Sequence, residues 1–382
     1  MALTAKLTVK DQDLLTALRE FLGEVLQLED IRAVLVPQQL PMKNTVMPVL
    51  VADPERLEGV DPLSPAYPLN AAKIVSKLSR KPMGGKIAVV LRPCEIRAFV
   101  ELVKLKQGRT DELVIIGLDC LGAYRNTDYA RAVGDDMQRF SLEFTRNALA
   151  GDTTGPEGID LAAACKVCEH SIPEGADVAI ALIGVDVDTQ LLVTGQTEKG
   201  DDLLEHMELP PGKVPAKRES AVAEVVERRT AARDEMFAQT HSATEDLEKL
   251  TAYLAGCVNC YNCRVACPVC YCKECVFVTD VFNHEPSQYL QWAFRKGALK
   301  MPTDTVFYHL TRLAHMSTAC VGCGQCSNAC PNDIPVMELF RTVARQTQQA
   351  FEYEAGRSLE EKPPLSEFRE NEFKEVVGIG AN

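Results

Sequence analysis

Apolar positions in this chain recur at two periods. Over Gln12–Leu28 they fall at Leu14, Leu15, Leu18, Phe21, Leu22, Val25 and Leu26, which places them on one face and predicts an amphipathic helix. The runs Ile31–Val36, Val46–Val51, Ile87–Leu91, Leu113–Leu118 and Val178–Val185 are short, apolar and rich in β-branched residues. Such runs predict buried strands. Helix-like segments lie between them at Asn70–Leu78, Glu95–Lys106 and Tyr129–Leu149. The alternation predicts an α/β (α+β) domain with a mixed sheet over residues 1–215.

The pattern changes at Glu208–Pro215 (ELPPGKVP), a Pro- and Gly-rich linker. Residues 216–255 read as a charged helical linker, with a break near Thr240–Ala243 and its charges on a solvated face. Residues 256–345 form a cysteine-rich unit, and residues 346–382 a polar tail containing Pro363 and Pro364. That tail is expected to be irregular, wrapping a neighbour or staying loose.

Composition narrows the function. The 382 residues predict two or three domains, and 46% hydrophobic with 25% charged residues is a globular balance. With 54 acidic and 41 basic residues the net charge is −13, which argues against general nucleic-acid binding and fits protein partners. The apolar runs fall far short of the roughly 18 residues of a membrane span. The amino terminus has no secretory apolar segment, so a cytoplasmic location is expected. Fifteen cysteines in a reducing compartment read as metal ligands instead of disulfides.

Cys257-x2-Cys260-x2-Cys263-x3-Cys267-Pro268 is followed by Cys320-x2-Cys323-x2-Cys326-x3-Cys330-Pro331. This is the bacterial ferredoxin run, twice. Three thiolates on one tight loop face three corners of a cubane, and the fourth, before proline, points to the other cluster. One [4Fe-4S] cluster is therefore expected on Cys257, Cys260, Cys263 and Cys330, and a second on Cys320, Cys323, Cys326 and Cys267. Paired zinc sites are the alternative, but zinc ribbons pair two Cys-x2-Cys knuckles. The module resembles the dicluster ferredoxins, except that 52 residues separate Cys267 from Cys320. In that insert Cys270, Cys272 and Cys275 are either ligands of a further metal site or buried thiols. His284, His309 or His315 would supply a fourth ligand.

Cys94 and Cys120 each follow an expected strand, and Cys165-x2-Cys168 precedes another. Residues beyond neighbouring strand ends converge on one crevice, so these four are either ligands of a third [4Fe-4S] cluster or ordinary core cysteines.

The segments KIAVVLRPCEIRAFVEL, LVIIGLDCLGAY, ACKVCEHSIPEGADVAIALIGVD and LLVTGQTEKGDDLLEH resemble, in order and spacing, those of the beta subunits of coenzyme F420-reducing hydrogenase and formate dehydrogenase. The resemblance runs from about Asn70 to His206 and favours the third cluster. It implies FAD close to that cluster and a subunit that works inside a larger complex. Expected partners are formate dehydrogenase, hydrogenase or heterodisulfide-reductase-like subunits. The ferredoxin module fused behind the flavin domain is a departure that many members do not share.

No G-x-G-x-x-G follows a strand, so FAD rests on the resemblance and not on a phosphate loop. Lys73, Lys77, Arg92 and Arg97 are candidates for its pyrophosphate. No Ser/His/Asp or catalytic Cys/His set stands out. Two functions are weighed: an iron–sulfur flavoprotein subunit exchanging a hydride with a carrier, and a flavin-free electron wire.

Overall fold

The computed structural model describes residues 3–40 and 44–367. Residues 368–382, the end of the expected tail, lie outside the described residues. Among the described residues seven strands form one sheet: β1 (Thr4–Thr8), β2 (Ile31–Gln39), β3 (Val46–Val51), β4 (Lys86–Leu91), β5 (Leu113–Leu118), β6 (Val178–Ala181) and β7 (Gln190–Gly195). Their order is β1-β7-β6-β5-β4-β2-β3. The central strands β2, β4, β5 and β6 are parallel, and β3, β7 and β1 extend the sheet antiparallel at its edges. The sheet is mixed, in agreement with the sequence pattern.

Three details differ from that pattern. The strands β1 and β7 have no counterpart among the expected runs, because their apolar stretches are too short to register. β6 stops at Ala181 and does not run on to Val185, because the amides of Leu182 and Ile183 turn onto the carboxylate of Asp119 at 2.8 and 2.9 Å. The helix expected over Tyr129–Leu149 is two helices separated around Gly134, whose φ is 61°.

Helices α1 (Leu14–Gln27), α2 (Ala72–Ser79), α3 (Pro93–Lys104), α4 (Asn126–Ala132), α5 (Met137–Leu149), α6 (Ala163–Lys166) and α7 (Glu198–His206) surround the sheet. Strand side chains alternate between its faces. Ala88, Val90, Val114 and Ile116 share a core with α1 and α7. Ile87, Val89, Leu91, Leu113 and Ile115 share another with α2 and α3.

The remaining helices are α8 (Lys217–Ala243), α9 (Leu247–Tyr253), α10 (Asn262–Ala266), α11 (Pro286–Lys296), α12 (Thr305–Met316), α13 (Gln325–Asn328) and α14 (Val336–Ala350). The core behind α2 and α3 continues into this region through Leu313 and Met316 of α12 and Leu339 and Phe340 of α14. The cysteine-rich unit is thus packed on the sheet domain and does not hang from a tether. The beginning of the tail is also fixed, on its own chain: Arg97 donates to the Ala355 carbonyl at 2.7 Å, and Tyr353 and Ala355 are buried in the same core.

Candidate metal centres

Cys94 lies in the first turn of α3, directly after β4, where Pro93 starts the helix. Cys120 follows β5, and its amide donates to the Ser171 carbonyl at 2.7 Å. That bond draws the loop carrying Cys165 and Cys168 over the strand ends. Cys94, Cys120, Cys165 and Cys168 line one inner cavity, together with Tyr67, Arg92 and Cys323. The Tyr67 hydroxyl lies 3.2 Å from Cys94 Sγ. Burial pushes the Cys94 thiol well up, with Glu95, Cys120 and Cys323 adding to it. Burial pushes Cys165 up to about 12, with Cys120 and Cys168 adding. Crowded buried thiols of this kind ionise only if a cationic centre compensates their charge.

An outer cavity is lined by Cys257, Cys260, Cys263 and Cys330, with Pro331 beside them. Its loop curls through positive φ at Asn259 (50°) and Tyr261 (61°). Two of its sulfurs meet hydrogen-bonding groups. Cys257 Sγ accepts from the Asn259 amide at 3.4 Å and lies 3.4 Å from His309 Nε2. Cys263 Sγ accepts from Arg312 at 3.1 Å and lies 3.4 Å from the Tyr308 hydroxyl. Between the inner and outer cavities sits a middle set. Cys320, Cys323 and Cys326 are pushed up chiefly by burial, and each also feels the charge of Cys267.

Among the described residues no three His, Cys, Asp or Glu side chains converge on one point as a single metal ion requires. A zinc ion needs its sulfurs within about 2.3 Å of one centre. The inner and outer cysteines instead line cavities, which suits a cubane. Cys270 lies near Cys267 and Cys272, Cys275 packs with Phe277 and Tyr308, and Cys272 is exposed. Of the histidines, His284 packs on Tyr289 and Trp292, and His315 is exposed.

The four cations singled out for a pyrophosphate are placed as follows. Arg92 stacks over Tyr67 and donates to the carbonyls of Ser64 and Ala66, both at 2.7 Å. Arg97 donates to Ala355, and Lys73 to the Val265 carbonyl at 2.9 Å. Lys77 is exposed on α2. Three of the four therefore brace the contact between loops and modules.

The charges of α8 do not form a purely solvated face. Arg218 makes a bidentate pair with buried Asp119 at 2.7 and 3.1 Å. Arg229 is buried and donates to the carbonyls of Cys120 and Leu121 and to Ser171 Oγ. Arg233 pairs with Glu169 at 2.9 Å. These arginines carry the backbone of the inner cavity, a role hidden in a charge-rich helix pattern. Their spacing, 218, 229 and 233, puts them within one broad stripe of the helix.

Beside the inner cavity lies another of about 120 Å³, with Tyr67, Tyr124 and Ala162–Ala164 as walls and Arg125, Gln325, Asn328 and Glu338 among its polar groups. Cys165 and Cys323 line both cavities. Gly324, at φ 78°, lets the module loop seat on α6: a Cβ there would lie 2.3 Å from Ala164 Cβ.

Residues 84–210 match the family model for the C-terminal region of the coenzyme F420 hydrogenase/dehydrogenase beta subunit, and residues 315–336 match that for a 4Fe-4S binding domain. The chain is 30% identical over 312 residues to the F420-dependent formate dehydrogenase subunit beta of Methanocaldococcus jannaschii, covering 76% of this chain and 78% of that one. It is 27% identical over 311 residues to the F420-dependent formate dehydrogenase 1 subunit beta of Methanococcus maripaludis, covering 73% and 75%. A chain of the F420-reducing [NiFe] hydrogenase complex from Methanosarcina barkeri aligns with a TM-score of 0.43 at 14% identity, covering 64% of this chain and 94% of that one.

Proposed function

The chain belongs to the family of coenzyme F420 hydrogenase and dehydrogenase beta subunits, and from that premise we propose that it is the iron–sulfur flavoprotein subunit of a multi-subunit oxidoreductase. In this reading it passes electrons between [4Fe-4S] clusters and FAD, and from there to or from a hydride carrier. The coarser statement, an iron–sulfur beta subunit of the F420-dependent dehydrogenase type, follows from the family and from the 4Fe-4S match. The partners are then the other subunits of such a complex. No helix among the described residues is long and apolar enough to cross a membrane.

The observation that carries the reading is Cys323. It belongs to the middle cysteine set, yet it lines the inner cavity and the neighbouring 120 Å³ cavity as well. The middle and inner cysteine sets are thereby contiguous, Cys326 of the middle set packs against the cluster of outer Cys263 and Tyr308, and the inner set borders the recess lined by Tyr67 and Tyr124.

We assign Cys257, Cys260, Cys263 and Cys330 to the outer cluster, Cys267, Cys320, Cys323 and Cys326 to the middle one, and Cys94, Cys120, Cys165 and Cys168 to the inner one. A cluster supplies one-electron storage and a flavin the exchange between single electrons and a hydride. The chain's own residues do the rest. Arg312 and Tyr308 hold Cys263 Sγ, His309 and Asn259 hold Cys257 Sγ, and Tyr67 holds Cys94 Sγ. Donors aimed at sulfur raise a cluster's potential. Tyr67 and Tyr124 line the recess, and Glu338, its pKa raised by burial, is available there to hold a proton.

A flavin-free electron wire is the second reading, and one observation favours it: Arg92, Arg97 and Lys73 already donate to protein carbonyls. Anaerobic purification of the full chain, with iron, sulfide, zinc and flavin counted per chain, separates the two. About twelve irons with one released flavin is expected for three cubanes and FAD. Iron without flavin leaves the wire, and zinc in place of iron overturns both.

A further inference from the structure

A further cavity, of about 180 Å³, opens between α3, α8, α14 and the loop of the middle cysteines, and it shares no lining residue with the recess of Tyr67 and Tyr124. Four guanidiniums line it, those of Arg97, Arg233, Arg341 and Arg345, against two carboxylates, Glu169 and Glu354. Four against two leaves two positive charges in excess, and His170 in the same wall can only add to them. At the rim Asp234 on Arg233 and Arg357 on Glu354 cancel each other. Arg97 and Arg341 are each 8% exposed, so solvent and salt screen them little. Glu169 takes up Arg233 and Arg341, and Glu354 takes up Arg97. Arg345, exposed one turn beyond Arg341, pairs with no carboxylate among the described residues, and its guanidinium meets the neutral side-chain amide of Gln349 at 3.1 Å.

The wall facing these arginines is Cys320, Val321 and Gly322. Gln348 Nε2 donates to the Cys320 carbonyl at 3.0 Å, and Arg97 Nη1 to the Val321 carbonyl at 3.5 Å. A Cβ at Gly322 would lie 2.8 Å from Arg341 Nε, so glycine is what lets that guanidinium lie against the loop. A surplus of guanidinium charge around a polar cavity is the chemistry that recognises an oxyanion, because each planar fork of donors matches two oxygens at once.

We propose that this cavity binds a small tetrahedral oxyanion of the phosphate or sulfate class, and that its occupancy is coupled to the redox state of the middle cluster. The coupling rests on the middle cysteines holding a cluster, as assigned above. An oxyanion held against the cluster loop and an electron arriving on the cluster repel each other across a poorly screened gap. The oxidised chain therefore holds the oxyanion more tightly than the reduced chain does. By reciprocity the bound oxyanion lowers the cluster's midpoint potential. No covalent bond changes: one electron enters the cluster, and the oxyanion leaves to solvent.

The test uses the full chain purified anaerobically with its clusters, in wild-type, Arg345→Gln and Arg345→Lys forms. Arg345 is exposed, so folding is spared, and cluster loading is checked by iron count. Titration calorimetry of the oxidised chain with inorganic phosphate reads binding directly. Saturable binding is expected, weakened about tenfold by Arg345→Gln and less by Arg345→Lys. Redox titration in rising phosphate, with chloride withdrawn to hold the ionic strength constant, reads the coupling. The middle cluster's signal is the one that Cys267→Ser removes. Its midpoint should fall and then level off, by about 59 mV for a tenfold preference of the oxidised chain for phosphate, while the outer cluster's midpoint stays in place. Calorimetry without saturable binding, or binding that Arg345→Gln leaves unchanged, overturns the site. Saturable binding with an unmoved middle midpoint, or an equal shift of every cluster, overturns the coupling. If the iron count shows the middle cysteines empty, the cluster assignment and the coupling fail together, and calorimetry alone decides the oxyanion site.

Discussion

The hydroxyl of Tyr353 donates to Glu101 Oε1 at 2.6 Å, across 252 residues of chain and inside the core shared by the sheet domain and the cysteine-rich unit. The same oxygen accepts from the Gly356 amide at 2.7 Å and is ion-paired with Lys104 Nζ at 2.8 Å. The strap after α14 is therefore latched onto α3, the helix that begins beside Cys94.

Removing the hydroxyl should loosen that latch without emptying the core. Tyr353→Phe leaves Glu101 paired with Lys104 and deletes one buried bond to a carboxylate, a loss of about 1.5–3 kcal/mol. Thermal unfolding of the iron-loaded chain followed by circular dichroism and by cluster absorbance should shift down in both signals together. Two transitions, with only one displaced, would mean that the units do not share a cooperative core.

Exchange of the fourth cysteine between the two ferredoxin loops makes a sharp expectation. Cys267→Ser should cost the middle cluster, about four irons per chain, and spare the outer one, since Cys267 lies against Cys320, Cys323 and Cys326. Cys330→Ser should do the reverse, because Cys330 lines the cavity of Cys257, Cys260 and Cys263. Low-temperature spin-resonance spectra of the reduced variants distinguish the two losses.

Arg312 is 4% exposed and donates to both the sulfur and the carbonyl of Cys263. Arg312→Gln removes a positive charge and a charge-assisted bond from that sulfur. The outer cluster's midpoint potential should fall by tens of millivolts while the inner cluster's stays in place. Redox titration of the two signals checks it, and an unchanged outer potential would reduce Arg312 to a packing role. Lysine at the same position should restore part of the shift.

Much of the fold is legible in the sequence, and what is not has a physical reason. The strands β4, β5 and β6 announce themselves because each is buried on both faces, which leaves an unbroken apolar run. The edge strand β1 and its neighbour β7 do not, because TAKLT and QLLVTG hold too few apolar residues in a row. The ferredoxin cysteines are legible from spacing alone, since a cubane dictates loop length. The inner cysteines need the sheet, because Cys94 and Cys165 are 71 residues apart and meet only where strand ends converge. The arginines of α8 are hidden for a different reason. A helix with charge all round gives no periodic signal, and only the fold reveals that Arg218, Arg229 and Arg233 point at Asp119, Cys120 and Glu169. The tail reads as loose at Tyr353–Gly356 because its polarity masks three buried residues, Tyr353, Ala355 and Gly356.

Asp61 yields a pH dependence that does not involve the cysteines. It is fully buried, with Oδ2 accepting from Ser141 Oγ at 2.6 Å and from Gln39 Nε2 at 2.9 Å. Its Oδ1 has no hydrogen-bond partner, and Arg19 is the cation that faces it. Burial raises its pKa above the usual 3.8, and the bonds from Ser141 and Gln39 and the charge of Arg19 offset this only in part. The native chain thus holds this proton more tightly than the unfolded chain does. Stability is therefore lost as pH rises from about 3.8 through the raised value, and the penalty is complete above it. Asp61→Asn keeps an acceptor for Ser141 and Gln39 and carries no charge to desolvate, so it should escape the penalty. Each tenfold change in acid dissociation is worth about 1.4 kcal/mol, so the variant should gain on wild type by about that much per pH unit as pH rises from 3.8, and stop gaining once the raised value is passed. The measurement is the difference in denaturation midpoint between the two proteins at each pH, which cancels contributions common to both, including loss of clusters. A difference that stays flat as pH rises from 3.8, or that grows as pH falls, would show that Asp61 is ionised at no cost and that Arg19 fully compensates its burial.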